Sequence, residues 1–260
     1  ARPQAELKEA LSEEEYATEL LPYIKMKVDQ ARLEALKSDV PSTCLYYLTG
    51  TQMFTMMKNV SESLAGRVGI IDMYGLSYSK IIGKDQDYFL PTSKRCKERE
   101  QYPRPETLEV FEKIIRGSFP ALYQNENIST ERFYNGYLRT YLERDIRNLI
   151  IIKEETKFLT FMSAVAARTG QELNYDNLAR DAEIDNKTAK SWFSYLQTSG
   201  LIFLLQPYSN NPATRAIKTP KMYFTDTGLA CYLARYSDAK TLEKSAINGN
   251  IFETVELFVW

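Results

Sequence analysis

Hydrophobic positions along the first third of the chain change period three times. Ser12 and Glu15 have capping-box spacing and predict a short helix, and a second helix is expected to start near Pro22, where a missing N–H costs little. Ile24, Val28, Ala31 and Ala35 then share one helical face. After Pro41 the run Cys44-Leu45-Tyr46-Tyr47-Leu48 is short, apolar and aromatic, which predicts a buried strand ending at Thr49-Gly50-Thr51-Gln52. A helix over residues 53–65 should turn Met53, Met56, Met57, Val60 and Leu64 inward, with Gly66 ending it. Val68-Gly69-Ile70-Ile71-Asp72-Met73-Tyr74 predicts a second buried strand. Strand, helix, strand is the order of a parallel crossover, so this portion is expected to be α/β within a helix-rich chain.

Residues 84–105 are charged and aperiodic and predict a loop. Pro105 opens a helix through Ile115 that Gly117 closes. Ser129 can cap a long helix to about Ile150 with Phe133, Tyr137, Tyr141 and Leu149 in its stripe. Beyond Lys157 three shorter helices follow: one over 158–168, one capped by Asn174, and one capped by Asp185 or Asn186 with Ala189, Trp192, Phe193 and Leu196 inward. A strand over Leu201–Leu205, a polar loop and a returning strand near Lys221–Phe224 complete the order of a winged helix-turn-helix.

Composition narrows the chemistry. The 260 residues contain no histidine, which excludes Ser-His-Asp and Cys-His nucleophiles and His-bearing zinc sites. With 33 Lys plus Arg against 34 Asp plus Glu, the whole chain has no global preference for nucleic acid or membrane. The three cysteines, Cys44, Cys96 and Cys231, are far apart and read as thiols of a cytoplasmic protein. No apolar run reaches transmembrane length, so no membrane partner is expected. The chain starts on Ala1 and stops at Trp260 within an apolar pattern, and the reading is of a fragment whose exposed apolar faces favour self-association.

Several strings occur in a telling order: Leu48-Thr49-Gly50-Thr51-Gln52, Leu64-Ala65-Gly66-Arg67, Tyr74-Gly75-Leu76-Ser77, Tyr141-Leu142-Glu143-Arg144-Asp145 and Arg168-Thr169-Gly170-Gln171. Ser199-Gly200-Leu201-Ile202, Pro220-Lys221-Met222-Tyr223-Phe224 and Thr225-Asp226-Thr227-Gly228-Leu229 follow. Together they resemble a family of prokaryotic AAA+-type ATP-binding proteins with a winged helix and a C-terminal domain of unknown function. The resemblance implies a partial parallel-sheet AAA+ core over 1–92, a helical lid over 93–156, a winged helix over 157–227 and the start of a further domain over 228–260. It implies ATP and Mg²⁺ as cofactors of complete homologues. Thr49, Thr51 and Gln52 would then sense the γ-phosphate, and Arg67 would stabilise charge on it. The phosphate-cradling loop is missing from the chain: the Gly83-Lys84 pair is followed by Asp85, and no strand before Cys44 ends in an acidic pair. Neither bound nucleotide nor ATP hydrolysis is therefore expected of this chain alone. Gly249-Asn250-Ile251-Phe252-Glu253 matches the start of a nuclease-like domain in that family, but without partners for chemistry.

The competing expectation is a DNA-binding regulator, and the third is an inert interaction scaffold. From Asn186 to Met222 there are five basic residues (Lys187, Lys190, Arg215, Lys218, Lys221) and no Asp or Glu. That stripe spans the third helix and the wing, where Lys and Arg would meet phosphates.

Overall fold

The computed structural model describes residues 13–38, 46–48, 64–83, 92–94, 97, 105–125, 127–141, 155–208, 210 and 218–258. The chain divides into two units, residues 1–72 and 73–260.

In the first unit, α1 (Glu13–Ser38) runs unbroken through Pro22, where two helices were expected. One proline removes a single ladder bond, and the helix tolerates it. Leu21 and Ile24 are buried with Leu64, while Val28 packs beside them. Among the described residues, 46–48 and 68–74 of the two apolar segments expected as buried parallel strands are neither buried nor in a sheet. Tyr47 is 87% exposed, and Ile70, Ile71 and Met73 are 57%, 83% and 92% exposed, without strand pairing. An apolar run becomes a strand only against a partner ladder, and the sequence pattern reports the run but not the partner. The helix expected over 53–65 lies almost wholly outside the described residues. Because Ile71 and Met73 contribute nothing to a core, Ile71→Lys with Met73→Lys should leave the unfolding free energy within about 0.5 kcal/mol of wild type. Chemical denaturation checks this, and a loss above about 3 kcal/mol would restore the buried strand.

The second unit is built around a helix whose sequence is small and apolar. It begins with α2 (Tyr78–Ile81), α3 (Thr107–Arg116), α4 (Pro120–Gln124) and α5 (Thr130–Tyr141). After α6 (Glu155–Ala166) come β1 (Gln171–Glu172), α7 (Tyr175–Asp181), α8 (Asn186–Thr198), β2 (Ile202–Leu205) and β3 (Lys221–Phe224). The described chain ends with α9 (Thr227–Leu233), α10 (Ala239–Glu243) and α11 (Asn248–Phe258). Helix α9 packs against α3, α5, α6 and α11, and its Leu229, Ala230, Cys231 and Leu233 are buried.

Asp226 caps α9 and ties it to the preceding helices. Its Oδ1 accepts from Leu229 N and from Tyr134 Oη, both at 2.7 Å. Its Oδ2 accepts from Ser118 N at 2.7 Å and Ser118 Oγ at 2.8 Å. Thr227 Oγ1 donates to the Ile114 carbonyl at 2.9 Å. The helices meet so closely that a Cβ on Gly228 would lie 2.2 Å from Tyr134 Oη, and one on Gly117 (φ +79) 2.0 Å from it. Only glycine fits either place. Burial, with the Asp226 charge and hydrogen bond adding to it, pushes the Tyr134 phenol far above its ordinary range, so it stays a donor.

The sheet corrects the expected fold class. Among the described residues it has three strands in the order β1-β3-β2, all antiparallel, with Ile202 opposite Phe224, Leu205 opposite Lys221 and Gln171 opposite Met222. No parallel sheet of an AAA+ core exists among them. In chain order the elements around the antiparallel sheet run α6, β1, α7, α8, β2, β3, with β3 in the middle of the sheet. Thr169 joins the sheet to α11: its Oγ1 accepts from Phe224 N at 3.1 Å and lies 2.9 Å from Thr254 Oγ1.

Candidate nucleic-acid interface

Helix α8 forms because Asp185 supplies its cap and four apolar side chains recur at helical spacing. Asp185 Oδ1 accepts from Lys187 N at 2.8 Å and Thr188 N at 3.0 Å, and Oδ2 accepts from Thr188 Oγ1 at 2.5 Å. The side-chain and backbone bonds from Thr188 hold the Asp185 carboxyl below its ordinary range. Ala189, Trp192, Phe193 and Leu196 are buried. The Trp192 ring meets Phe158 and Phe161 of α6 edge-on, at centroid distances of 5.2 and 5.6 Å. Phe193 meets Tyr175 of α7 at 5.6 Å in the same way.

That packing turns the opposite face outward. Lys187, Lys190, Ser191, Ser194, Gln197 and Thr198 are exposed, and their spacing puts them on one stripe. Among the described residues neither Lys187 nor Lys190 forms a salt bridge, and the Lys190 ammonium lies 5.7 Å from the centroid of the Tyr175 ring. No carboxylate belongs to the stripe. At its edge, Asp176 is engaged by Asn186 Nδ2 and Asp185 by its capping bonds.

The other expected contacts divide. Lys218 is exposed where the chain enters β3. Lys221, one of the expected phosphate contacts, instead pairs with Glu253 of α11 at 2.7 Å, and the same Oε1 accepts from Tyr223 Oη at 2.5 Å. Arg215 lies outside the described residues, as do Thr49, Thr51 and Gln52. Arg67, expected at a transferred phosphate, is held by Asp29, with Nε and Nη2 donating to its two carboxylate oxygens at 2.6 and 3.0 Å. Among the described residues no group of three or more Cys, Asp or Glu is placed to hold a metal ion. No described helix is long and apolar enough to cross a membrane.

Glu253 therefore braces α11 against β3. Partial burial pushes its carboxyl up, but the bonds from Lys221 and Tyr223 and the lysine charge outweigh this, and the group sits below its ordinary value. A depressed carboxyl stabilises the fold above the unfolded glutamate range and loses that contribution as pH falls through its folded value. Both partners are partly exposed, so the contribution is modest. Glu253→Gln should destabilise by up to about 1 kcal/mol near neutral pH. Thermal unfolding of both proteins should show the gap closing as pH falls below the unfolded glutamate range; a gap that widens would refute the brace.

A model of a domain of unknown function, DUF8612, matches residues 107–240, from α3 into α10. The match covers the Asp226 network and the elements from α6 to β3, and the chain belongs to this family. Its curated relatives include the uncharacterized proteins Rv2008c of Mycobacterium tuberculosis and Mb2031c of Mycobacterium bovis. Each is 23% identical over 244 residues, covering 94% of this chain and 48% of the relative. The chain thus spans about half the length of the curated relatives it matches. No solved structure matches. These findings replace the AAA+ resemblance: the matching family is one of unknown function, and the sheet is antiparallel. The AAA+ assignment falls with it, and the ATP-binding ATPase description loses its support.

Proposed function

We propose that the chain binds duplex DNA through its winged helix, with α8 lying in the groove. One observation carries this reading: the outward face of α8 presents Lys187 and Lys190 with hydroxyl and amide side chains and no carboxylate. The element holding that stripe is the third helix of a winged helix, which in this architecture enters the major groove. Lys187 lies in the first turn, where the helix end itself favours an anion. Lys190 follows one turn later, and Lys218 stands on the wing side of β3. Each would neutralise a phosphate and release a counterion. The rigid aromatic packing under Trp192 supports the helix from behind, which keeps the stripe in one geometry. A DNA-binding chain of this kind would work in the cytoplasm, where the buried Cys231 stays a thiol.

Fluorescence anisotropy of a labelled duplex tests the proposal. At about 50 mM salt the expected dissociation constant is about 1–100 µM, weakening as salt rises. No binding at the upper end of that range would overturn it.

A further inference from the structure

We infer that α8 recognises duplex DNA by its backbone and not by its bases, so that the ligand class is B-form duplex of any sequence. This rests on the reading that α8 enters the groove. Base identity is read best by forked or paired groups: Arg on guanine, Asn or Gln on adenine. Helix α8 contains no arginine, and its two amide side chains are Asn186 and Gln197.

Asn186 is taken out of play by the fold. Its Nδ2 donates to Asp176 Oδ1 on α7, and its Oδ1 is buried without a hydrogen-bond partner. An adenine edge needs a donor and an acceptor side by side from one amide, and with its Oδ1 buried Asn186 does not present that pair. Gln197 is exposed, but it stands in the last turn of α8. At 1.5 Å per residue it is about 15 Å along the axis from Lys187. The base-contacting residues of such helices lie toward the N-terminal end. Between those ends the stripe offers Ser191 and Ser194, whose hydroxyls donate or accept and so accept either base pair. The lysines act as point charges on flexible stems, suited to phosphates. Tyr175 also holds the Lys190 ammonium toward the α7 side of the helix. The outward face of α8 is thus equipped for charge and shape and lacks a base-reading fork.

The test is selection by the full chain from a pool of duplexes with a randomised core, followed by sequencing of the bound fraction. A single bidentate base contact would enrich its base about fivefold to hundredfold. The pool should be retained at low salt with no motif enriched beyond about threefold, and Gln197→Ala should leave the composition of the bound fraction unchanged. Lys187→Ala should weaken all duplexes by the same factor. A motif enriched beyond that level, or one erased by Gln197→Ala, would overturn the inference while leaving DNA binding standing. Failure to retain any duplex at low salt would overturn the DNA reading itself, and this inference with it.

Discussion

Asp226→Ala is expected to lower the unfolding free energy by about 3–5 kcal/mol, the largest effect of any single substitution considered for this fold. The carboxylate accepts four hydrogen bonds, and two of the donors are the backbone N–H groups of Ser118 and Leu229. Alanine removes the cap of α9 and strands both N–H groups where the chain is buried, at about 1–3 kcal/mol each. Tyr134 loses less, because its hydroxyl also reaches the Arg116 carbonyl at 3.0 Å. Asparagine is a poor substitute: its amide hydrogens would face donors already pointing at that position. Asp238 gives an internal comparison. It caps α10 with the same geometry, accepting from Thr241 N and Oγ1 at 2.8 Å each, but it is exposed. Asp238→Ala should therefore cost clearly less than Asp226→Ala. Urea denaturation of both variants reads the difference, and equal losses would show that Asp226 is a cap and nothing more.

Charge reversal at Lys187 and Lys190 together is expected to weaken duplex binding at least about tenfold, because two phosphate contacts become two repulsions. The fold should be unaffected. Both side chains are exposed, and a glutamate at position 187 sits near a helix N-terminus, where negative charge is favoured. The unfolding midpoint of the double variant should therefore match wild type, which separates loss of the interface from loss of structure. Lys221→Ala provides the contrast. Its ammonium belongs to the Glu253 brace, so it should change stability modestly and affinity little. An affinity loss at Lys221 equal to that at Lys187 would move the interface onto β3.

Much of the second unit was readable from periodicity. Ala189, Trp192, Phe193 and Leu196 recur at helical spacing behind a capping aspartate, and all four are buried on α8. The short apolar runs of β2 and β3 stand where the pattern placed them. Strand β1 left no trace, because Gln171 and Glu172 are polar and exposed and become a strand only through pairing with Met222 and Lys221. The Asp226 brace was present as the string Thr225–Leu229, and the cap is a local signal. Its partners Ser118 and Tyr134 lie 108 and 92 residues away, beyond any local pattern. The same holds for Lys221, counted with the basic stripe until the structure placed it on Glu253. Residues 68–74 failed for a different reason. Their hydropathy is that of a buried strand, yet the chain leaves them unpaired in any sheet and largely exposed. The candidate interface was half legible: the lysines were visible in the sequence, while the engagement of Asn186 by Asp176 required the fold.

The dependence of duplex affinity on salt tests the central claim most directly. Each phosphate contact contributes about 0.9 to the slope of log affinity against log salt, so contacts from Lys187, Lys190 and Lys218 predict a slope of about −2.7 for the wild type. The Lys187→Glu, Lys190→Glu variant should fall to about −1 on the same duplex. Equal slopes for the two proteins, or no measurable binding by the wild type at low salt, would contradict the account.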